Sequence, residues 1–209
     1  MTRPAGISDA DLRPPHAAPG MRIGLLGGSF NPPHAAHRLI SLNAMKRLGL
    51  DRVWWMVTPG NPLKDHSELA PLAERIACSR AVSRHPKIEV TAFEAAIGTA
   101  YTAGALRHLR RRMPRAHFVW LMGADNLAGF HRWNEWETIF ETVPIAVEDR
   151  PHWRHRALAS PAAHRFACSR VPESCAAALP NLKPPAWSYL SGPLSTLSST
   201  SLREQRRER

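Results

Sequence analysis

The sequence predicts an α/β fold built on one open, mostly parallel sheet with helices on both faces. Three observations carry that expectation. Short apolar runs of strand length alternate along the chain with amphipathic stretches long enough for a helix. The first apolar run ends directly in "GGSFNPPHAAH" (27–37), a glycine-opened and proline-stiffened turn at the place where open α/β sheets bind ligands. At 209 residues and 44% hydrophobic composition, the chain can bury one sizeable core and is too short for two comfortable ones.

The elements follow in order. "RIGLLG" (22–27) is a continuous apolar run, as a strand covered on both faces requires. A helical pattern runs from about His34 to Leu48, with Ala36, Leu39, Ile40 and Ala44 on one face. "RVWWMV" (52–57) is a second buried strand, ended by the turn "TPGNP", and a helix from about Leu72 to Arg84 places Leu72, Ile76 and Ala77 on one side. "KIEVTAF" (87–93) alternates Ile88, Val90 and Ala92, which suits a strand nearer an edge.

A further helix spans about Thr102 to Arg112 and is stopped by Pro114. "HFVWLMG" (117–123) is the most apolar strand. Short helical pieces cover 126–141, and "PIAVE" (144–148) is a fifth strand. The stretch 149–184, rich in Pro, Arg, Ala and His, carries no clear period. "AWSYL" (186–190) is a candidate sixth strand, and the end, "SSTSLREQRRER", reads as a capped helix. Strand–helix alternation of this kind means crossover units and a Rossmann-like sheet.

The first twenty residues lack the apolar middle of a secretion signal and read as a Pro/Ala-rich flexible leader before a single domain, 21–209. No apolar run approaches the roughly 20 residues of a membrane helix. Cys78, Cys168 and Cys175 are odd in number, scattered and without metal spacing, which suits a reducing cytoplasm. The net charge of +11 comes mainly from arginines in "RHLRRR" (107–112), "RPHWRHR" (150–156) and "REQRRER" (203–209). Such runs are solvated faces, or they create a field that attracts a polyanion such as a nucleoside triphosphate. No zinc-finger, recognition-helix or RNA-binding signature accompanies them.

The chemistry concentrates in two places. Gly27 and Gly28 are expected to permit φ > 0 and to bring backbone N–H groups close to an anion, with Ser29 and Phe30 following in the loop. His34 and His37, at i and i+3, share one face of the first helical turn, where the helix dipole adds positive potential. The loop is neither G-x-G-x-x-G nor a G-K-[ST] phosphate loop. A zinc pair lacks a nearby third ligand, and a plain turn followed by two helix histidines stays open. Near the other end, Ser198, Ser199 and Thr200 offer hydroxyls and N–H groups at a helix start. Arg203, three residues further, offers a planar fork for phosphate. An ordinary Ser/Thr cap is the alternative there.

Both stretches resemble known signatures. "GGSFNPPHAAH" resembles the G-x-F-x-P-x-H-x-x-H pattern of the nucleotidyltransferase superfamily, and "SSTSLR" (198–203) its S-[ST]-T-x-x-R pattern. From Met21 to Arg209 the chain resembles the bacterial nicotinate-nucleotide adenylyltransferases, through "GADNL" (123–127), "FHRWNEW" (130–136), "AYTAGAL" (100–106) and "NPLK" (61–64). That resemblance implies transfer of adenylyl from ATP to nicotinate mononucleotide, giving deamido-NAD and pyrophosphate in NAD synthesis. Mg²⁺ would be carried by the substrate phosphates, with no protein metal site, no nucleic-acid partner and no membrane.

Residue by residue, the resemblance makes His34, His37 and Arg203 catalytic, with a protonated imidazole steadying developing charge. Gly27, Gly28, Ser29, Phe30, Gly123, Asp125, Ser198, Ser199 and Thr200 join them around ATP, Asp125 at a ribose. Trp133 would stack on the acceptor's pyridine ring, Tyr101 and Thr102 would meet its carboxylate, and Lys64 falls on the acceptor side. The family's R-P-G stretch after the fifth strand reads Arg150-Pro151-His152 here, a departure that leaves the loop 150–156 without an assigned role. Three other readings stay open: a sister enzyme acting on phosphopantetheine, one acting on the amide mononucleotide, and a non-catalytic basic module that holds RNA or DNA.

Overall fold

The computed structural model describes residues 6–60 and 69–192, together with 195, 197, 199 and 203. The strands are β1 (Arg22–Gly28), β2 (Arg52–Val57), β3 (Ile88–Thr91), β4 (His117–Gly123), β5 (Ile145–Glu148) and β6 (Trp187–Leu190). The helices between them are α1 (Ala35–Leu48), α2 (Leu72–Ser83), α3 (Phe93–Ala96), α4 (Thr102–Arg112), α5 (Ala124–Ala128), α6 (Trp136–Thr142), α7 (Arg154–Leu158) and α8 (Pro161–Arg165).

All six strands pair parallel in the order β3-β2-β1-β4-β5-β6. The chain winds outward from β1 to β3, crosses back, and winds outward again from β4 to β6. The order therefore reverses between β1 and β4, and the carboxyl end of β1 faces the crevice left by that reversal. The alternating run "KIEVTAF" forms the edge strand that its pattern suggests.

Alternation along the buried strands sorts the core into two layers. Ile23, Leu25, Trp54, Phe118, Trp120 and Trp187 face one side, packed against Leu106 and Leu109 of α4 and Phe140 of α6. Leu26, Val53, Trp55, Val57, Val119 and Leu121 face the other, against Ala44 and Leu48 of α1 and Ile76 of α2. Trp54, Trp55, Trp120 and Trp187 are fully buried. Removing such a ring from water is worth about 4–6 kcal/mol at ~25 cal/mol per Å². Trp55 also donates to the Ser41 hydroxyl at 2.8 Å, and Trp187 to the Phe166 carbonyl at 2.8 Å.

Three expectations change. Ala77 is exposed and Leu39 only partly covered; the inner side of α2 is Arg75, Ile76, Ser79 and Ser83. Arg75 turns inward because four carbonyls await it: Ser29 at 2.8 Å, Thr58 at 2.7 Å, Pro59 at 3.2 Å and Ala70 at 2.8 Å. One buried guanidinium thus braces the exits of β1 and β2. Burial lowers its pKa only to about 10, so it stays charged.

Residues 6–20 are docked rather than a loose leader. Ile7 and Asp11 are buried, the Asp11 carbonyl accepts from the Ala92 N–H at 2.7 Å, and the Arg13 carbonyl accepts from the Thr91 hydroxyl at 2.9 Å. The Asp11 carboxylate pairs with Arg80 and takes two bonds from Ser8, at 2.8 and 2.7 Å. Finally, the unread stretch 149–184 holds α7, α8 and two 3₁₀ segments, 167–169 and 173–181.

Candidate active site

The turn after β1 works differently from its sequence expectation. Gly27 and Gly28 lie inside β1, and neither has positive φ. Gly27 is required by a close approach: a Cβ there would stand 2.4 Å from Cη2 of Trp120. At Gly28 a Cβ would meet only the Phe30 ring at 3.5 Å, an ordinary contact. The left-handed residue is Phe30, at φ +48. That conformation costs a non-glycine of order 1–3 kcal/mol and persists where packing over-determines it. Here the buried Phe30 ring stacks on Trp55 with centroids 5.1 Å apart and lies 4.7 Å from the His37 ring.

His34 caps α1 from an extended backbone, and its N–H donates to Nδ1 of His37 at 3.2 Å. A ring nitrogen that accepts carries no proton, so the His37 proton sits on Nε2. The two imidazoles are 3.9 Å apart between centroids. Burial pushes His34 down to about 4, helped by the charge of Arg150 and opposed by Asp125. Burial, with His34 next to it, pushes His37 down to about 3. Both shifts favour the neutral imidazole at pH 7.

Asp125, in the first turn of α5, accepts from Nη1 of Arg150 at 2.7 Å. Gly123 makes room for this pair, since a Cβ there would lie 2.4 Å from Oδ1 of Asp125 and 2.9 Å from Cδ of Arg150. The same guanidinium donates through Nη2 to the Leu197 carbonyl at 2.5 Å. Arg150 is a site residue that the sequence reading left without a role. Its signal was the Arg-Pro dipeptide just after β5, obscured by His152 standing where the family pattern has glycine.

The turn after β1 and the segment that carries Ser199 and Arg203 meet here. Nη1 of Arg203 donates to the Asn31 carbonyl at 2.6 Å, and the Ser199 hydroxyl donates to the Pro32 carbonyl at 2.9 Å. Arg203 and Ser199 are thereby fastened to the turn that leads into His34. Ser198, Thr200 and Lys64 lie outside the described residues.

On the Trp120 side of the sheet, a hollow of about 390 Å³ opens at the end of β1. Gly27 and Trp120 line it, and the neighbours Tyr101 and Thr102 converge there with Trp133, from a later part of the chain, together with Gly28 and Ser29. The Trp133 ring lies 4.9 Å from Phe130 and meets Trp120 edge-on at 6.4 Å. Helix α4 starts at Thr102 without a side-chain cap, so its first N–H groups are not satisfied from its N-cap residue. Glu94, which no motif flagged, also lines the hollow; it is buried, and its carboxyl is pushed up to about 7. His34 and His37 are not among the hollow's residues. His37 packs on Phe30 and Trp55, toward the opposite face, with His34 against it, and the turn that follows Gly28 and Ser29 joins them to the hollow.

Among the described residues, no three His, Cys, Asp or Glu side chains converge as a metal site. Arginines of the basic runs are partly neutralised: Arg107 pairs with Glu135 at 2.5 Å, and Arg154 pairs with Asp149. Cys78, Cys168 and Cys175 are all free. Among the described residues, no helix is long and apolar enough to cross a membrane.

Comparison with known proteins adds an independent line. The family model described as cytidylyltransferase-like matches residues 25–205. A Bradyrhizobium sp. (strain ORS 278) protein named "Probable nicotinate-nucleotide adenylyltransferase" is 60% identical over 183 residues, 88% of this chain and 95% of that one. One of the same name from Rhizobium meliloti (strain 1021) is 55% identical over 88% of this chain and 97% of its own. Among solved structures, Plasmodium falciparum nicotinic acid mononucleotide adenylyltransferase complexed with NaAD superposes with a TM-score of 0.65. Its identity is 18%, over 88% of this chain and 83% of that one, which is a likeness of fold.

Proposed function

The chain belongs to the cytidylyltransferase-like family and, within it, to the nicotinate-nucleotide adenylyltransferases, and from that premise we propose how its two subsites carry out the reaction. The protein joins ATP to nicotinate mononucleotide, giving deamido-NAD and pyrophosphate, a step of NAD synthesis. The observation that carries the reading is the junction at Gly28 and Ser29. A hollow lined by Trp133 and Thr102 abuts there on the turn that leads into His34 and His37 and holds Arg203.

In the hollow the pyridine ring stacks on Trp133, and its carboxylate meets Thr102 and the uncapped start of α4. The acceptor's phosphate then lies toward Gly28. An oxygen of that phosphate attacks the α-phosphorus of ATP in line; the new P–O bond forms as the bond to the β-phosphate oxygen breaks. A phosphate dianion is already nucleophilic, so the protein's contribution is positioning and charge stabilisation. His34 and His37 donate N–H groups to the triphosphate, and its negative charge opposes the burial that keeps them neutral. Arg203 takes the departing pyrophosphate. Arg150 adds a fixed positive charge beside the histidines, and Asp125 remains the partner for a ribose hydroxyl.

Mg²⁺ enters with the triphosphate, as part of the substrate. The donor set fits that role, because Asp125 is engaged by Arg150 instead of standing in a carboxylate cluster. A reducing cytoplasm, where these nucleotides are found, agrees with three free cysteines.

The direct test is pyrophosphate release from ATP and Mg²⁺ with nicotinate mononucleotide, its amide and phosphopantetheine supplied separately. Nicotinate mononucleotide is expected to give the highest kcat/KM. No release with it, or faster release with phosphopantetheine, would overturn the reading.

A further inference from the structure

The acceptor hollow contains a carboxyl group where an anionic acceptor has to bind. Glu94 is 4% exposed and sits in α3, immediately after the edge strand β3, yet it lines the same hollow as Tyr101, Thr102 and Trp133. Among the described residues, the charged and titratable groups that share the hollow with it are Arg132, from the 3₁₀ turn after α5, and Tyr101, just before α4. Among the described residues neither forms an ion pair with Glu94. Among the described residues, the β1 and β2 ends contribute Gly27, Gly28, Ser29 and Thr58, all uncharged. Burial favours the neutral acid, and only a hydrogen bond with the Thr58 side chain opposes it. A carboxyl in this setting keeps its proton near pH 7.

Two carboxylates in one enclosed site repel strongly, and the usual resolution is that they share one proton. A carboxylic acid, in contrast, is a donor that a carboxylate accepts with a short, charge-assisted bond. We propose that Glu94 is a specificity-determining residue of the acceptor hollow: in its protonated form it donates a hydrogen bond to the acceptor's pyridine carboxylate. This rests on the nicotinate mononucleotide reading above and explains how the hollow tells the acid from the amide. The start of α4 offers N–H dipoles to either acceptor. The Glu94 proton favours the acid, and an ionised Glu94 would disfavour it while tolerating an amide.

The consequence is a linked proton. Binding the acid draws one proton from solvent onto Glu94 whenever the free protein has lost it, and binding the amide draws none. Between pH 6 and pH 8 the affinity for nicotinate mononucleotide therefore falls about tenfold relative to its amide, because one required proton costs a factor of ten per pH unit above the group's pKa. The 5′-phosphate is common to both ligands and cancels in the ratio.

The experiment is isothermal titration of the full chain with each mononucleotide, at pH 6 and 8, in two buffers of different ionisation enthalpy. Close to one more proton taken up with the acid than with the amide at pH 8 supports the proposal, and in Glu94→Gln that difference disappears and the acid-to-amide ratio becomes flat with pH. Equal proton uptake for the two ligands in the unsubstituted protein overturns it, as does an unchanged pH profile in Glu94→Gln. If the variant does not fold, the proton count on the unsubstituted protein decides alone. Failure of the parent reading looks different: neither mononucleotide would support pyrophosphate release, whatever the proton count.

Discussion

Arg150 holds Asp125 through a 2.7 Å bond from Nη1, while its Nη2 reaches the Leu197 carbonyl at 2.5 Å. One guanidinium thus links the exit of β4 to the segment that carries Ser199 and Arg203 toward the β1 turn. It is also the cation that helps depress His34.

Replacing Arg150 by Met removes that cation and leaves the Asp125 carboxylate facing His34. Both changes favour the imidazolium, so the His34 titration should move upward from about 4, while burial, the larger cause, still holds it below the ordinary imidazole value. His37, for which Arg150 is the smallest of the named causes, should move less. Imidazole chemical shifts followed against pH by NMR measure both, and an unmoved His34 would show that burial alone sets its titration.

His37→Ala removes the Nε2–H donor and the acceptor of the His34 N–H together. A donor that acts on developing charge is worth about 3–5 kcal/mol. The variant should lose at least about a hundredfold in kcat/KM while its far-UV circular dichroism is unchanged. Full activity in the variant would strip His37 of a catalytic role.

Trp133→Ala tests the acceptor hollow separately. Ring stacking on a base is worth about 1–3 kcal/mol, so the acceptor KM should rise about tenfold to a hundredfold. The KM for ATP should change little, because Trp133 lines the hollow and not the histidine side. Weakened ATP with an intact acceptor KM would reverse the assignment of the two subsites.

Glu148, at the end of β5, is buried with Oε2 accepting from Asn43 at 2.5 Å, and burial pushes its carboxyl up to about 7 from an ordinary 4.5. The folded protein holds this proton more tightly than the unfolded chain. The stability it contributes is complete below pH 4.5 and is lost as pH rises through 7. Glu148→Gln keeps the neutral form at every pH. The Tm of the variant relative to the parent should therefore rise between pH 5 and pH 8, by up to about 3 kcal/mol or roughly 6–12 °C. A gap that stays constant with pH would mean Glu148 ionises normally in the fold.

Much of the architecture could be read from local pattern, because β1, β2 and β4 are nearly continuous apolar runs and most turns carry Gly or Pro. His34, His37 and Arg203 were legible for the same reason: each sits in a short contiguous motif. What escaped depends on partners distant in sequence. Asp11 looks like a leader residue until Arg80, 69 positions away, is seen to pair with it. Arg75 breaks the apolar face expected of α2 because carbonyls from two loops solvate it inside. Glu94 resembles any surface acid after a strand, and only folding carries it into the hollow. The glycine pair suggests a positive φ that neither residue adopts, whereas the constraint at Gly27 is a ring from β4 pressing on β1.

That contact between Gly27 and Trp120 has a bearing on how acceptor choice can drift over evolution. The base of the cavity is a backbone pressed against an indole, so no side chain can be added at Gly27 without displacing the ring. Retailoring for a bulkier or slimmer acceptor falls instead to positions away from that base, such as Tyr101 and Trp133, which line the hollow from outside the sheet.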